Sequence, residues 1–217
     1  MIYESFSILS VENFLHDSEL LTINSILSTF EKSNKVEFGK YSVHTSDKYS
    51  TKELSLAFEP NGRYEINNLP ENVEAILNKA LRRNLNSIKQ IFPKVKRALP
   101  WNFLVYSENQ FCNSHVDYVY KTETNETVYC GIGVVIASPI CGGEFYIETS
   151  GSKNYINDGK VGPNMNYTSE RFKEMKRTKW TADQPKGTAV IYGTQTIHGT
   201  NPVIKGKCKK IISWLSG

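Results

Sequence analysis

His115 and Asp117 stand two residues apart in Asn113-Ser114-His115-Val116-Asp117, and His198 lies far downstream in Thr196-Ile197-His198-Gly199-Thr200. In an extended strand, residues i and i+2 project from the same face. The pair can therefore aim an imidazole and a carboxylate at one point. Two histidines and one carboxylate leave coordination positions of a metal open, which suits iron(II) sites that activate dioxygen. The same groups also suit zinc or manganese in a hydrolase or isomerase, and a short His-x-Asp run is common by chance. A lone histidine such as His198 is often only a hydrogen-bonded structural residue. What surrounds the three residues has to decide.

The elements that must position them divide the chain in two. The front, residues 1–100, reads as a helical support region. Asp17 can cap a helix with apolar positions at Leu20, Leu21, Ile23, Ile26, Leu27 and Phe30. A second helix is predicted from Leu69-Pro70-Glu71, with Pro70 in its first turn, Glu71 and Glu74 at the positive end of its dipole, and Pro93 as its stop. Val36 to Tyr64 between them reads as short strands and loops. From Trp101 the pattern turns to strands: Trp101–Tyr106, Val128–Ala137, Phe145–Glu148, Thr188–Tyr192, Ile197–Val203 and Lys209–Leu215. Residues 149–187 form a long, polar, glycine-dotted stretch with one short helix at Ser169–Lys176. A connection this long suggests a lid. Helices followed by many short strands predict a mainly β domain spanning 1–217, a barrel or sandwich supported by α-helices.

Composition narrows the partners. A formal charge of +4 is too weak to argue for nucleic acid. No run approaches the roughly 20 apolar residues that span a bilayer, and Met1–Ser10 lacks the pattern of an export signal, so a soluble, cytoplasmic chain with no membrane partner is expected. Cys112, Cys130, Cys141 and Cys208 are scattered, which fits reduced and mostly buried thiols rather than a zinc ribbon or disulfide framework.

The text around the histidines carries a resemblance. The runs are Tyr106-Ser-Glu-Asn-Gln-Phe-Cys-Asn-Ser-His115-Val-Asp117, the strand ending in Cys141-Gly142-Gly143-Glu144-Phe145, Lys186-Gly187-Thr188-Ala189-Val190-Ile191-Tyr192, and His198-Gly-Thr-Asn-Pro202-Val203-Ile-Lys-Gly206 leading to Trp214. In this order and spacing, Trp101–Gly217 resembles the 2-oxoglutarate- and iron(II)-dependent dioxygenases, in particular the prolyl 4-hydroxylase-like branch. The front resembles them more loosely. The resemblance implies a double-stranded β-helix, a jelly-roll or cupin-like barrel. It implies Fe(II) on His115, Asp117 and His198, 2-oxoglutarate as cosubstrate, ascorbate as a candidate auxiliary reductant, and dioxygen. The implied reaction hydroxylates a C–H bond of a peptidyl-prolyl or other amino-acid residue, or of a small molecule.

The resemblance departs at one place. The family places a basic residue about ten positions after the distal histidine to take the far carboxylate of 2-oxoglutarate; here Cys208 stands there, flanked by Lys207, Lys209 and Lys210. If Trp214 points inward, strand parity turns Ile212, Lys210 and Cys208 inward with it, which favours Lys210; a bulge would bring in Lys209 or Lys207. Tyr106 matches a family tyrosine that bonds the same carboxylate, with a core aromatic as its plainer role. Tyr118 and Tyr120 are candidates for substrate contact or for an exposed loop. Gly142-Gly143 reads as a turn or bulge, and Glu144 as structural or solvent-facing. Tyr155, Tyr167, Phe172 and Trp180 offer aromatic surface for a substrate, and Lys173, Lys176, Arg177 and Lys179 offer attraction for an acidic one. The competing expectation is a metal-binding β-barrel without 2-oxoglutarate turnover, favoured by Cys208.

Overall fold

A computed structural model describes residues 7–33, 49–67, 69–117, 126–150, 177–182 and 184–217. The front of the chain supplies β1 (Ile8–Val11), α1 (Asp17–Ser33), α2 (Thr51–Phe58), β2 (Tyr64–Asn67), α3 (Glu71–Ile91) and β3 (Arg97–Ala98). The rest supplies β4 (Asn102–Tyr106), β5 (Cys112–His115), β6 (Val128–Ala137), β7 (Cys141–Gly142) and β8 (Phe145–Ser150). It ends with β9 (Arg177–Ala182), β10 (Ala189–Gly193), β11 (Ile197–Thr200), β12 (Val203–Lys205) and β13 (Cys208–Ser216).

Strand alternation explains why these elements layer as they do. The larger sheet runs β1-β10-β6-β13-β4-β2, with β3 beside β13. One face of it presents Phe103, Val105, Cys130, Ile132, Val134, Ile136, Ala189, Ile191, Ile211 and Leu215 to Leu20, Ile23 and Leu27 of α1 and Val73, Leu77 and Ile88 of α3. Each fully buried Leu or Ile in that layer contributes about 2 kcal/mol of apolar burial. The alternate positions of β4 and β13 (Leu104, Tyr106, Lys210, Ile212 and Trp214) line a pocket on the other face. A smaller sheet, β5-β11-β8-β9, faces that pocket, and β7 pairs with β12 at one end. Helices back one sheet and a second sheet covers its other face, giving the double-stranded β-helix with α-helical support.

Several local expectations change. The stretch before Tyr64 contains α2, opened by a capping box in which Ser50 and Glu53 satisfy each other's backbone N–H groups. Asp17 lies inside the first turn of α1, and the helix start is fixed instead by His16 N–H donating to Glu19 Oε2 at 3.0 Å. Pro70 takes the cap position of α3, just outside the first turn, and the helix ends at Ile91, ahead of Pro93. The helical front also lends β1, β2 and β3 to the larger sheet. Within 149–187, β8 runs to Ser150 and β9 pairs along it from Arg177↔Ser150 to Ala182↔Phe145; the expected helix at 169–176 and the centre of the expected lid lie outside the described residues. Ile197–Val203 divides into β11 and β12 because Asn201-Pro202 interrupts the pairing. Among the described residues, no helix is long and apolar enough to cross a membrane.

Candidate metal centre and its pocket

The two histidines sit directly opposite each other. β5 and β11 are antiparallel neighbours with His115↔His198 in register, so both imidazoles leave the small sheet at the same level. Their ring centroids are 4.3 Å apart. Asp117 lies just past the end of β5, where its N–H donates to Thr194 O at 3.1 Å. A loop hydrogen bond rather than strand alternation therefore places the carboxylate. His115 Nε2 and His198 Nε2 each lie 3.9 Å from Asp117 Oδ1. All three residues are buried, and their ligand atoms lie within 4.8 Å of one another.

The donor set fits a metal ion on three counts. His115 Nδ1 lies 2.8 Å from Asn113 O, and His198 Nδ1 lies 2.9 Å from Thr196 O. A carbonyl only accepts, so each Nδ1 carries the proton and each Nε2 offers its lone pair toward the common point. Asp117 Oδ2 is buried without a hydrogen bond. Burial pushes the Asp117 carboxyl above the usual range, while His115 and donors from Trp214 and Tyr192 favour its charged form. A buried carboxylate oxygen in that position suits a cation as its partner. Two imidazoles and one carboxylate also leave the open coordination that iron(II) oxygen chemistry requires.

Aromatic rings hold the histidines. Tyr192 lies 4.2 Å from the His198 ring and Phe145 lies 5.6 Å from it, while Phe58 of α2 lies 5.4 Å from His115. A Cβ at Gly131 would lie 2.7 Å from the Tyr192 ring, so the bare backbone of β6 makes room for it. Gly142, the last residue of β7, and Gly143 just after it both have positive φ, at 78° and 76°, where the chain turns into β8.

The pocket runs from the histidines to a polar end built by β4 and β13. Lys210 is 6% exposed, and its Nζ donates to Thr200 Oγ1 at 3.2 Å. It lies 5.9 Å from the centroid of the Tyr106 ring. Strand parity thus turns Lys210, Ile212 and Trp214 toward the pocket together. Lys209 points the other way and pairs with Glu31 at 2.6 Å; Lys207 lies 3.8 Å from the same carboxylate and is 57% exposed. Cys208 is buried with its Sγ 3.7 Å from Gly143 O, and burial pushes its thiol up. Of the four cysteines only Cys141 is exposed.

Other expected residues lie elsewhere. Glu144 accepts from Asn201 Nδ2 at 3.1 Å, a structural bond beneath the β11–β12 turn. Trp180 is 49% exposed on β9, and Lys179 Nζ lies 3.5 Å above the Tyr146 ring. Tyr118, Tyr120, Tyr155, Tyr167, Phe172, Lys173 and Lys176 lie outside the described residues.

Sequence reasoning missed Arg63, Thr200, Tyr192 and Gln184, all of which line the pocket. Arg63 comes from the turn between α2 and β2, and its Nη1 donates to the Tyr106 hydroxyl at 2.7 Å. The alternation Glu59, Arg63, Glu65 marks a charge cluster in the sequence. Nothing in linear order connects it to Tyr106. Thr200 was findable, because it shares the i, i+2 relation with His198.

No family model matches the chain, and no curated protein matches it. Solved structures do. A prolyl-4-hydroxylase from Pseudomonas putida superimposes with a TM-score of 0.60 at 10% identity, covering 98% of this chain and 93% of that one. A prolyl hydroxylase from Trichoplax adhaerens, in complex with a hypoxia inducible factor oxygen degradation domain peptide fragment, gives 0.59 at 13% identity over 97% and 83%. HygX from Streptomyces hygroscopicus, with nickel, 2-oxoglutarate and hygromycin B bound, gives 0.56 at 12% identity over 97% and 83%. At such identities the likeness establishes the fold.

Proposed function

We propose that this protein is an Fe(II)- and 2-oxoglutarate-dependent dioxygenase that hydroxylates a C–H bond. The observation that carries this reading is the coincidence of two features in one pocket. His115, Asp117 and His198 converge at one end, and buried Lys210 beside Tyr106 forms the other. A metal site alone would need no basic residue there. A dicarboxylate that chelates a metal at one end needs such a residue at the other.

The chain's own contributions follow from geometry. His115 and His198 present Nε2 with the tautomer fixed by Asn113 O and Thr196 O. Asp117 supplies the anionic ligand, steadied by Tyr192 and Trp214. Lys210 and Tyr106 take the far carboxylate of the cosubstrate. The apolar walls, Leu104, Val190 and Ile212, keep water from the polar groups and strengthen each interaction. Bound iron(II) supplies the activation of dioxygen, coupled to conversion of 2-oxoglutarate into succinate and carbon dioxide.

The substrate we favour is a peptidyl-prolyl or other amino-acid residue. The Trichoplax adhaerens neighbour holds a peptide fragment, which supports a chain-like substrate; the Streptomyces hygroscopicus neighbour holds hygromycin B, so the fold also takes small molecules. The alternative of a barrel without turnover rests on Cys208; a buried Lys210 lining the same pocket favours the oxygenase reading over it. The test is succinate formation from 2-oxoglutarate with Fe(II) under air, with and without proline-containing peptides. Iron-dependent succinate stimulated by a peptide is expected. Metal binding with no succinate under any condition would return the protein to the non-catalytic class.

A further inference from the structure

The polar end of the pocket contains a charged network that the proposed reaction leaves unexplained. Arg63 is buried, with 5% of its side chain exposed, between Glu59 at 3.1 Å and Glu65 at 2.8 Å. Its Nε also donates to Glu65 Oε2 at 3.0 Å, and its Nη1 donates to Tyr106 Oη at 2.7 Å. Burial works against the guanidinium charge, and the carboxyl groups of Glu59 and Glu65 beside it favour that charge. So much buried charge needs a reason, because an apolar core of the same volume is often at least as stable.

We propose that Arg63 is a positioning residue that turns Tyr106 into an obligate hydrogen-bond donor for the far carboxylate of the cosubstrate. The inference rests on the 2-oxoglutarate reading above. A guanidinium has donors only, so in the Arg63–Tyr106 bond the phenol oxygen must accept. The phenol's own proton is then directed to another acceptor, and the open side of Tyr106 is the pocket that Lys210 also lines. Burial holds the Tyr106 phenol above its ordinary value, which keeps that proton in place. Two carboxylates already neutralise Arg63, so it does not compete with Lys210 for the ligand's charge.

The rest of the network fixes Arg63 in space. Asn61 Nδ2 donates to Asn109 O at 2.7 Å, and Gln110 Nε2 donates to Asn61 O at 3.1 Å. These two bonds tie the turn before Arg63 to the loop between β4 and β5. Glu59 also accepts from Cys112 Sγ at 3.6 Å, and Asn113 Nδ2 donates to Ala57 O at 2.8 Å. The helix α2 is thus tied to β5, the strand that carries His115.

The test is calorimetric binding of 2-oxoglutarate to protein loaded with Mn(II), so that nothing turns over. The parallel ligand is 2-oxopentanoate, which has the same chain length and no far carboxylate. The main variant combines Arg63→Met with Glu59→Gln and Glu65→Gln, leaving no unpaired carboxylate buried. Arg63→Lys, which keeps the charge and loses the planar fork, serves if the triple variant does not fold. Tyr106→Phe and either Arg63 variant should each weaken 2-oxoglutarate by about tenfold. Their combination should weaken it no further, and 2-oxopentanoate should bind all of them alike. Unchanged 2-oxoglutarate affinity, equal loss of both oxoacids, or losses that multiply in the combination would overturn the assignment. Absence of 2-oxoglutarate binding by the unaltered Mn(II) protein would instead overturn the cosubstrate reading itself, and the inference with it.

Discussion

Lys210 Nζ donates to Thr200 Oγ1 at 3.2 Å, so a side-chain hydrogen bond joins β13 of the larger sheet to the strand that carries His198. A neutral hydroxyl is a weak partner for a side chain that is only 6% exposed. Burying a basic group there opposes folding unless something else compensates. A carboxylate arriving in the pocket would compensate, and Thr200 would already hold the amine in place.

Lys210→Ala should therefore raise the 2-oxoglutarate requirement by about tenfold or more, the loss of a charged hydrogen bond worth about 1.5–3 kcal/mol. Lys209→Ala, which removes only the pair with Glu31 on the other face, should leave the requirement unchanged. Steady-state succinate formation against 2-oxoglutarate concentration separates the two. Equal effects in both variants would remove Lys210 from its assigned place.

Much of this site could be read in the order of residues, for identifiable reasons. The β13 face follows from parity once Trp214 is taken to point inward, because Trp214, Ile212 and Lys210 cannot change sides separately without a bulge. The pairing of β13 with β6 shifts register between Lys209 and Lys210 and again between Leu215 and Ser216, while the β13–β4 register runs continuously from Cys208 to Ile212. The convergence of His115, Asp117 and His198 was legible through spacing and resemblance, although Asp117 reaches its place through Thr194 O and not through the strand. The helix α2 was missed because its apolar pattern is only eight residues long, yet Ser50-x-x-Glu53 announces its start. Arg63 could not be placed, since its link to Tyr106 spans 43 residues and depends on how a turn packs against β4. Periodicity reports faces of elements; it is silent on which turn meets which strand.

Asp117 illustrates stability given up for a site. Its carboxylate is buried with Oδ2 lacking a hydrogen bond. Asp117→Asn should leave the metal-free protein at least as stable as the unaltered one. It should also abolish the rise in melting temperature on adding Mn(II), which at a hundredfold excess over the dissociation constant amounts to about 2.7 kcal/mol by linkage. Thermal melts with and without the ion check both parts. A metal-induced shift that survives in Asp117→Asn would exclude Asp117 as a ligand.

The helical front has its own pH signature. Arg83 donates to both oxygens of Glu19, at 2.9 and 2.8 Å, and lowers the Glu19 pKa from 4.5 to about 2. Because the folded value is the lower one, the stabilisation is fully present above about 4.5 and disappears as pH falls through about 2. Solvent at the Arg83 end, where 30% of the side chain is exposed, trims the gain to about 1 kcal/mol. Glu19→Gln should be less stable than the unaltered protein by that amount at pH 7. The gap should narrow below pH 4.5. Urea titrations at pH 7, 4 and 3 measure it, and a gap constant across that range would contradict the pairing.

Two glycines of β6 give the sharpest test of how the barrel wall supports the metal. A Cβ at Gly131 would lie 2.7–2.8 Å from the Tyr192 ring and hydroxyl, whereas a Cβ at Gly133 meets only Ile212 Cγ2 at 3.9 Å. Tyr192 packs 4.2 Å from His198 and steadies Asp117, so a displaced ring disturbs two of the three proposed ligands. Gly131→Ala should destabilise the fold by about 1–3 kcal/mol through overpacking. It should also weaken Mn(II) binding. Gly133→Ala, on the same strand and the same face, should do neither, because its methyl enters ordinary van der Waals contact and a strand tolerates alanine at least as well as glycine. Denaturant unfolding and calorimetric Mn(II) titration of the two variants provide the comparison. If Gly131→Ala loses stability while keeping full metal affinity, Tyr192 is part of the core only and does not hold the ligands.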